Sequence, residues 1–260
     1  MTTIVNPCKI KRYGWVPDLP DARDHLYAAP MAVMATLPHN IDLRPQCPPV
    51  YDQGDLGSCT ANAIGAAIQF DRMKQNLSPD FIPSRLFIYY NERVMEGTVS
   101  IDHGAQIRDG IKSVAKQGVC PEKDWPYDIS KFAMRPPPAD YREALQSRAV
   151  GYSRLVQNAN LLKGCLASGF PFVFGFTVYE SFESQAVAPS GVVPMPSSGD
   201  QVVGGHAVLA VGYDDSTQRF IVRNSWNTNW GMAGYCTMPY AYVRDPNLAD
   251  DLWTIRLIAH

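Results

Sequence analysis

The sequence lacks closely spaced cysteines. Its six cysteines are scattered through 260 residues, and none forms a C-x-x-C pair, which argues against a zinc ribbon or a thioredoxin-like redox site. They are also too sparse for a small scaffold held together by disulfides. Most are expected to be buried single thiols, and Cys120 with Cys165 is the one candidate disulfide.

Long apolar runs and an excess of charge are missing too. No stretch reaches the ~20 apolar residues of a membrane span, and 23 Lys and Arg nearly balance 25 Asp and Glu. No run of like charge stands out, so neither nucleic acid nor a membrane surface is predicted as a partner. We expect a monomer without a cofactor or a metal ion.

The N-terminal part differs from the rest of the chain. Its first residues show no basic region followed by an apolar one, so no secretory signal is predicted there. The localisation stays open between the cytoplasm and secretion by a route that the sequence does not reveal. Residues 1–36 are broken by Pro17, Pro20 and Pro30 and hold no helical or alternating period. They are predicted to form an extended segment laid over a folded body of residues 37–260.

Helices are predicted early in this body and strands late. Helical patterns cover residues 58–73, 84–94, 105–116 and 158–167, and Ser58 is expected to cap the first helix with its hydroxyl. The prolines of residues 135–140 exclude a helix there and predict a connection between lobes. A buried strand is predicted over residues 172–178 and a hairpin over 207–213 and 219–223. This order predicts an α+β fold with a helical lobe at about 47–146 and a β lobe at about 147–260.

Four residues form a set suited to acyl transfer. Cys59 stands at the start of the first predicted helix, where the partial positive charge of the helix favours a thiolate. His206 lies on a predicted strand and can act as the base. Asn224 follows the next strand and can accept the other ring N–H, while Gln53 and the Cys59 backbone N–H can donate to an oxyanion. This set predicts a cysteine peptidase.

The motifs around these residues resemble those of papain-like cysteine peptidases, in the bacterial branch that includes xylellain. Residues 53–60 read QGDLGSCT against the family pattern QGxCGSCW, residues 204–208 read GGHAV, and residues 224–235 read NSWNTNWGMAGY. His206 follows Cys59 at about the 130–150 residues typical of papain and the cathepsins. The resemblance implies a two-lobe fold, with the cleft between the lobes and the central helix beginning at the catalytic Cys59.

The resemblance also implies substrate-binding positions. Gly104 is expected to pair with the substrate backbone, and its neighbour His103 lies either on the cleft wall or on the surface. Gly175 and Ala207 are expected to line the pocket for the substrate residue P2, the second before the scissile bond. Trp226 is a further candidate for contact with substrate. The alternatives are that it shields the hydrogen bond between His206 and Asn224 from water, or that it is a core aromatic residue.

Three residues depart from the family pattern. Leu56 stands where the eukaryotic members have a disulfide-forming cysteine, so that bridge is absent. Thr60 replaces an aromatic residue and Asn227 replaces a glycine. Both replacements are expected to affect packing more than chemistry.

Hydrolysis of a peptide or protein substrate is the function that these features favour. Two alternatives stay open: an acyl or peptidyl transferase using the same acyl-enzyme, and a catalytically silent peptide-binding homologue. Residues 1–36 are too short for the full inhibitory pro-domain of the family, but Tyr13 and Trp15 can anchor them to the body. We hypothesise that residues 26–30 cross the cleft and make the segment an intramolecular inhibitor of a zymogen. A strap that only braces the sheet lobe is the alternative.

Overall fold

Most helices precede most strands in the computed structural model, which describes residues 13–259. The helices are α1 (Met31–Ala35), α2 (Cys59–Lys74), α3 (Arg85–Glu96), α4 (Ile107–Gln117), α5 (Pro138–Ala144), α6 (Ala159–Ala167), α7 (Val187–Ser190) and α8 (Tyr240–Arg244). The strands are β1 (Asn40–Asp42), β2 (Arg148–Arg154), β3 (Phe172–Tyr179), β4 (Val202–Asp214), β5 (Arg219–Arg223), β6 (Tyr235–Pro239) and β7 (Ala249–Ala259). Residues 1–12 of the predicted N-terminal segment, with Cys8, lie outside the described residues.

An antiparallel sheet contains all seven of these strands. Its order is β2-β7-β3-β4-β5-β6, and β1 pairs with the end of β4. β4 is the longest strand, and it pairs with β3, β5 and β1. The helices α2 and α4 pack against strands of this sheet. The predicted α+β class is therefore confirmed, although β1 brings an early segment into the late sheet.

The helix α2 is buried on almost every side. All of its residues from 59 to 72 are buried, and small residues such as Ala61, Ala63 and Gly65 let neighbouring elements approach closely. α3 and α4 pack on α2 from one side, and β4 packs on it from the other. The first turn of α2, with Cys59, is therefore held firmly beside β4.

Two predicted element ends are wrong. Ser58 precedes α2, but its side chain accepts no hydrogen bond from a backbone N–H of the helix. Its hydroxyl instead bonds the Tyr127 hydroxyl and accepts from the side-chain amide of Asn62 at 3.1 Å. Residues 135–140 were expected to be free of helix, yet Pro138 begins α5. Proline is tolerated in a first helical turn because the N–H that it lacks would have no acceptor there.

The predicted disulfide is also wrong, because Cys120 and Cys165 are free, buried thiols. Cys120 follows α4, and its carbonyl accepts the Ser84 N–H ahead of α3. Cys165 lies in α6, where its thiol contacts the Phe170 carbonyl and the side chain of Thr254 on β7. The two cysteines thus belong to different layers of the fold.

Residues 26–30 do not cross the cleft, so that prediction is wrong. Leu26 pairs with Arg154 at the end of β2, and the Tyr27 N–H donates to the Arg154 carbonyl at 2.8 Å. β2 is the outer strand of the sheet, separated from β4 by β7 and β3. This part of the chain therefore extends the sheet at its edge.

Residues 13–16 lie beside Cys59 instead. The Trp15 N–H donates to the Gly205 carbonyl of β4 at 2.9 Å, and a backbone hydrogen bond joins Gly14 to the Cys59 thiol. Residues 13–24 continue from there across α4 towards β2, and we call them the strap.

Two carboxyl groups fasten the strap to Arg108 of α4. The Arg108 backbone N–H donates to Asp18 at 3.0 Å, and its guanidinium bonds Asp24 at 2.6 Å and the Leu19 carbonyl. The Asp18 side chain, which is 0% exposed, also accepts from the Trp253 indole at 3.0 Å. Asp18 is therefore the most deeply anchored carboxylate of this contact.

Carboxylates outnumber guanidiniums around Asp18. Arg154 bonds Asp250 at 2.9 Å and Asp251 at 3.0 Å, and its guanidinium stands 3.4 Å from Asp18. Together with Asp24, four carboxylates therefore face two guanidiniums, those of Arg154 and Arg108. Burial, followed by the negative charge of Asp251, raises the pKa of Asp18 to about 7. Docking of the strap therefore favours a protonated Asp18.

The strap is expected to dock more weakly as the pH rises through about 7. Docking raises the pKa of Asp18, so the protonated carboxyl stabilises the docked strap. This stabilisation is complete below the ordinary aspartate pKa of about 3.9 and is lost as Asp18 ionises. Hydrogen-exchange protection of the Trp15 amide, corrected for intrinsic exchange, should fall by up to about 100-fold between about pH 5 and about pH 8. Asp18→Asn should flatten this dependence. Protection that stays constant or rises with pH in the unaltered chain would contradict the prediction.

Candidate active site

Cys59 is the first residue of α2 and is fully buried. Its backbone N–H belongs to the first helical turn, where N–H groups have no acceptor within the helix, and the helix dipole places partial positive charge there. Backbone groups of Ala207, Gly14 and Thr60 hydrogen-bond with the thiol. The sulfur therefore lies between the start of α2, the strand β4 and the strap.

The His206 ring is held by Asn224. His206 lies on β4, and Asn224 directly follows β5, which pairs antiparallel with β4. The hairpin therefore returns the chain beside His206, whose Nε2 stands 2.8 Å from Asn224 Oδ1. Because an amide oxygen only accepts, Nε2 carries the hydrogen. Nδ1 is buried and has no hydrogen-bond partner among residues 13–259, so its lone pair can accept a proton.

Aromatic rings enclose His206. Trp226 stacks on it with the ring centroids 5.1 Å apart, and Phe176 and Tyr13 stand edge-on at 5.7 and 5.9 Å. Trp226 is 1% exposed and is backed by Trp230, a core residue. These rings exclude water from the hydrogen bond that orients the imidazole.

Gln53 is fixed against the loop that follows β5. Its backbone N–H donates to the Ser225 carbonyl at 2.9 Å, and its Oε1 accepts from the Ser225 hydroxyl at 2.6 Å. Its Nε2 donates to the Leu56 carbonyl at 3.1 Å. Since an amide nitrogen has two hydrogens, one remains for a further acceptor.

The thiol and the imidazole are both neutral when the strap is docked. Burial raises the pKa of Cys59 to about 12, and the backbone hydrogen bonds to its sulfur lower it by less. Burial also lowers the pKa of His206 to about 4, against the opposing effect of the Asn224 hydrogen bond. Neither charged form is favoured without water or substrate to solvate it.

A buried carboxyl lies behind the thiol. Glu92 on α3 is 0% exposed, and its Oε1 accepts from the hydroxyl of Thr60 at 2.7 Å. Burial raises the pKa of Glu92 well above its ordinary value. A neutral Glu92 suits the site, because a negative charge there would raise the pKa of Cys59 further. Thr60, which replaces an aromatic residue in the motif, thus gains a hydrogen bond with α3.

Glycines line the surface that the strap covers. A Cβ on Gly104 would overlap the Gly14 backbone, and one on Gly175 would overlap the Trp15 ring. Gly104 also has a φ of +79°, a conformation that other residues rarely adopt. The cleft therefore lets another backbone approach at close range.

Backbone hydrogen bonds tie the strap to both walls of the cleft. The Gly14 carbonyl accepts from the Ala105 N–H at 2.8 Å, and the Val16 N–H donates to the Ala105 carbonyl at 3.0 Å. On the opposite wall, the Trp15 N–H donates to the Gly205 carbonyl at 2.9 Å. The strap thus binds as an extended peptide inserted between the two lobes.

The predicted substrate-binding residues fall into three groups. Gly104 and Gly175 contact the strap, and Ala207 is buried beside the thiol. Trp226 supports the His206 ring from behind. The His103 side chain is exposed, so the structure places it on the surface.

Sequence reasoning missed Glu92 and Asp251 and misplaced the segment that covers the thiol. The glycines at 57, 104, 175 and 204–205 could have indicated where the covering segment lies, because a surface without Cβ atoms lets another backbone approach closely. Glu92 and Asp251 carried no such signal. Carboxylates are mostly exposed, and only the tertiary contacts show these two to be buried.

A thiol at the start of a buried helix and an imidazole oriented by an amide are the groups that thiol-dependent acyl transfer uses. Residues 37–251 match the papain family cysteine protease domain. The chain belongs to the papain family of cysteine proteases, and it is a peptidase, as the motifs predicted.

Relatives support the same assignment. The uncharacterized peptidase C1-like protein L477 of Acanthamoeba polyphaga mimivirus is 46% identical over 270 aligned residues, which cover 95% of this chain and 87% of the viral protein. The crystal structure of xylellain, a cysteine protease from Xylella fastidiosa, superposes with a TM-score of 0.90 at 49% identity, over 95% of this chain and 97% of xylellain. Procathepsin B S9 from Trypanosoma congolense shares the fold at a TM-score of 0.72 and 18% identity, over 92% of this chain and 84% of its own. The predicted papain-like two-lobe fold is confirmed.

Neither a metal cluster nor a membrane helix is found in the part of the chain that the structure describes. Between residues 13 and 259, no three or more His, Cys, Asp or Glu side chains are arranged to hold a metal ion. No helix in that range is long and apolar enough to cross a membrane.

Glu92→Gln is expected to fold with a stability within about 1 kcal/mol of the parent at acidic pH. The glutamine oxygen can still accept from the hydroxyl of Thr60. Folding raises the pKa of Glu92, so the protonated carboxyl contributes to the stability of the folded state at low pH. This contribution is lost as the pH rises and the buried carboxyl ionises. Urea unfolding across this range should show a smaller alkaline loss of stability in Glu92→Gln than in the parent. Equal losses in both proteins would show that Glu92 does not titrate as proposed.

Proposed function

We propose that the chain hydrolyses peptide bonds through a triad of Cys59, His206 and Asn224, with Gln53 as an oxyanion donor. The observation that carries the proposal is the 2.8 Å hydrogen bond from His206 Nε2 to Asn224, with Nδ1 left without a hydrogen-bond partner among residues 13–259. A neutral amide orients the ring without adding a charge to the pair. The same histidine can therefore take a proton from the thiol and later return it.

The first half of the reaction forms a thioester. His206 Nδ1 accepts the Cys59 proton, and the sulfur attacks the carbonyl carbon of the substrate. The carbonyl oxygen becomes an oxyanion, which the Cys59 backbone N–H and the Gln53 Nε2 hydrogen can stabilise. The C–N bond then breaks as the imidazolium gives its proton to the leaving amine, and an acyl-enzyme remains.

The second half returns the free thiol. His206 takes a proton from a water molecule, and the resulting nucleophile attacks the thioester carbon. The C–S bond breaks, the carboxylic product leaves, and the proton on the imidazolium returns to the sulfur. Trp226 keeps the bond to Asn224 dry throughout, so the ring orientation persists through both proton transfers.

The strap is proposed to inhibit this chemistry within the same molecule. It fills the groove beside Cys59 and hydrogen-bonds with both walls, at Ala105 and Gly205. Because it is covalently joined to the body, its effective concentration is high, and moderate contacts suffice to exclude substrate.

The strap also removes the charge that the reaction needs. With the strap docked, burial raises the pKa of the Cys59 thiol to about 12 and lowers the pKa of the His206 imidazole to about 4, and we propose that the strap contributes to this burial. When the strap leaves, water and substrate reach the pair, and the burial that opposes the thiolate–imidazolium form is relieved. Inhibition therefore combines steric exclusion with suppression of the nucleophile.

Substitution of the four proposed catalytic residues should give graded losses of peptide hydrolysis. Cys59→Ala and His206→Ala should abolish it with the fold intact, because nucleophile and base are lost. Asn224→Ala should retain part of the activity, and Gln53→Ala should lower kcat more than KM, by about 100-fold or more for one oxyanion donor. Steady-state kinetics on a fluorogenic dipeptide panel provides the measurement.

The products of the same assay separate the alternatives. Hydrolysis gives a free carboxylic acid, whereas a transferase would form a new amide with an added amine, which mass spectrometry identifies. Failure of an epoxide thiol inhibitor to label Cys59 in the Trp15→Ala chain, whose strap is weakened, with no turnover of any substrate by that variant, would indicate a silent binding homologue. Turnover in Cys59→Ala at the parental rate would remove the triad proposal.

Trp15→Ala should activate the full chain. The indole is the largest strap side chain in the groove, and losing its buried contacts should shift the strap towards the undocked state by about 10-fold or more. Both kcat/KM and the rate of Cys59 labelling should rise together. Met31→Ala is the matched control, because Met31 belongs to the same N-terminal segment but is 89% exposed. Equal labelling rates in the parent and Trp15→Ala would leave the strap a structural brace only.

A further inference from the structure

The loop that leads into Cys59 carries the proposed oxyanion donors. Its only cysteine, Cys59, is a free thiol, so no disulfide fastens residues 53–59 to the rest of the molecule. Gln53 and Leu56 are buried, at 0% and 4% exposure. Since the Gln53 amide and the Cys59 N–H both belong to this loop, its shape decides where the two donors point.

One peptide group of this loop, between Leu56 and Gly57, is hydrogen-bonded at both ends. Its carbonyl oxygen, on Leu56, accepts from Gln53 Nε2 at 3.1 Å. Its N–H, on Gly57, donates to the Asp102 carboxylate, at 3.1 Å from Oδ1 and 3.3 Å from Oδ2. A planar peptide cannot turn one end without turning the other. Asp102 therefore fixes the carbonyl group that orients the Gln53 amide.

The plane of the Gln53 amide is set by two contacts. Its Oε1 accepts from the Ser225 hydroxyl at 2.6 Å, and one Nε2 hydrogen is held by the Leu56 carbonyl. Together they fix the direction of the second Nε2 hydrogen, the one proposed to meet the oxyanion. Hydrogen bonds to a carboxylate are stronger than those between neutral groups, so Asp102 holds its end of the Leu56–Gly57 peptide firmly.

Asp102 also joins this loop to the wall that binds a peptide backbone. The buried hydroxyl of Tyr89, on α3, donates to Asp102 Oδ1 and accepts from the Gly104 N–H at 3.3 Å. Burial, and then the hydrogen bond with Asp102, raises the pKa of Tyr89, so the hydroxyl remains a donor. Ala105, which follows Gly104, hydrogen-bonds with the strap. One carboxylate thus connects the oxyanion loop with the backbone-binding segment.

Glycine at residue 57 makes the contact with Asp102 possible. A Cβ at Gly57 would stand 2.9 Å from Asp102 Oδ1 and would force the carboxylate away. On another side, a Cβ at Gly14 of the strap would overlap the Gly57 carbonyl. Residue 57 therefore lies between Asp102 and the strap, and a test of Asp102 has to separate its effect on catalysis from any effect on strap docking.

We infer that Asp102 is a positioning residue of the oxyanion site, which directs the Gln53 amide through the Leu56–Gly57 peptide. This inference rests on the proposed function, in which Gln53 stabilises the oxyanion. Asp102 acts through Gln53 and not on the reacting atoms. It should therefore affect the steps that form an oxyanion and leave other reactions of the thiol unchanged.

The test uses the full chain with Trp15→Ala, so that substrate competes with a weakened strap. Adding Asp102→Ala should lower kcat for a fluorogenic dipeptide by about 10- to 100-fold with little change in KM, because the donor is misplaced only in the transition state. Iodoacetamide alkylates the thiolate without forming an oxyanion. The rate of Cys59 alkylation should therefore stay within about 2-fold of the Trp15→Ala chain.

A double-mutant cycle with Gln53→Ala tests the route of the effect. If Asp102 acts through Gln53, Asp102→Ala should cost less than about 2-fold in kcat once Gln53 is alanine. Asp102→Asn is the conservative variant, since its amide oxygen can replace Oδ1, which accepts from both Gly57 and Tyr89. It should lower kcat by only about 2- to 5-fold. If Asp102→Ala fails to fold, the same cycle with Asp102→Asn decides.

Asp52→Ala is the matched control. The Asp52 carboxylate also accepts a glycine N–H of this loop, that of Gly54 at 2.9 Å. That peptide group does not hold the Gln53 amide. We expect kcat of Asp52→Ala, in the Trp15→Ala chain, to stay within about 2-fold.

The outcomes separate this inference from the proposed function. Absence of turnover in the Trp15→Ala chain, together with an unlabelled Cys59, would refute the peptidase mechanism. A normal kcat in Gln53→Ala would refute the oxyanion role of Gln53 and, with it, this inference. An unchanged kcat in Asp102→Ala beside a lowered one in Gln53→Ala would refute the role of Asp102 alone. Equal losses with and without Gln53, or a parallel fall in alkylation, would do the same.

Discussion

The packing of the first turn of α2 against β4 is the contact on which the rest of the site depends. It brings Cys59, from the early part of the chain, to Ala207, the neighbour of His206. The hairpin of β4 and β5 then places Asn224 beside the imidazole of His206. A buried helix of small residues makes this approach possible, because a bulkier face would hold the helix start away from the strand.

Backbone surfaces, more than side chains, shape the cleft. Glycines at 104 and 175 leave room for an extended chain, and the hydrogen-bonding groups of Ala105 and Gly205 hold it. Such recognition is largely independent of sequence, so the strap and a substrate can use the same groove.

Burial by the docked strap affects two groups of ionisable side chains in opposite ways. The docked strap makes thiol and imidazole neutral, but it also buries Asp18 among carboxylates that outnumber their arginine partners. The same docking thus stabilises the resting site and creates a group whose ionisation weakens it.

The sequence by itself determined the fold class and the family, because motif order and local periodicity are properties of the chain. It also supplied Cys59, His206, Asn224 and Gln53 as the predicted catalytic residues. It also placed the helices α2, α3, α4 and α6 and the strands β3 and β5 to within two residues at each end. Tertiary structure alone decided that residues 13–16, and not 26–30, lie beside the thiol. It also decided that Cys120 and Cys165 stay apart and that Glu92 and Asp251 are buried. These outcomes depend on which surfaces meet after folding, and no local pattern in the sequence encodes a meeting between segments that are distant along the chain.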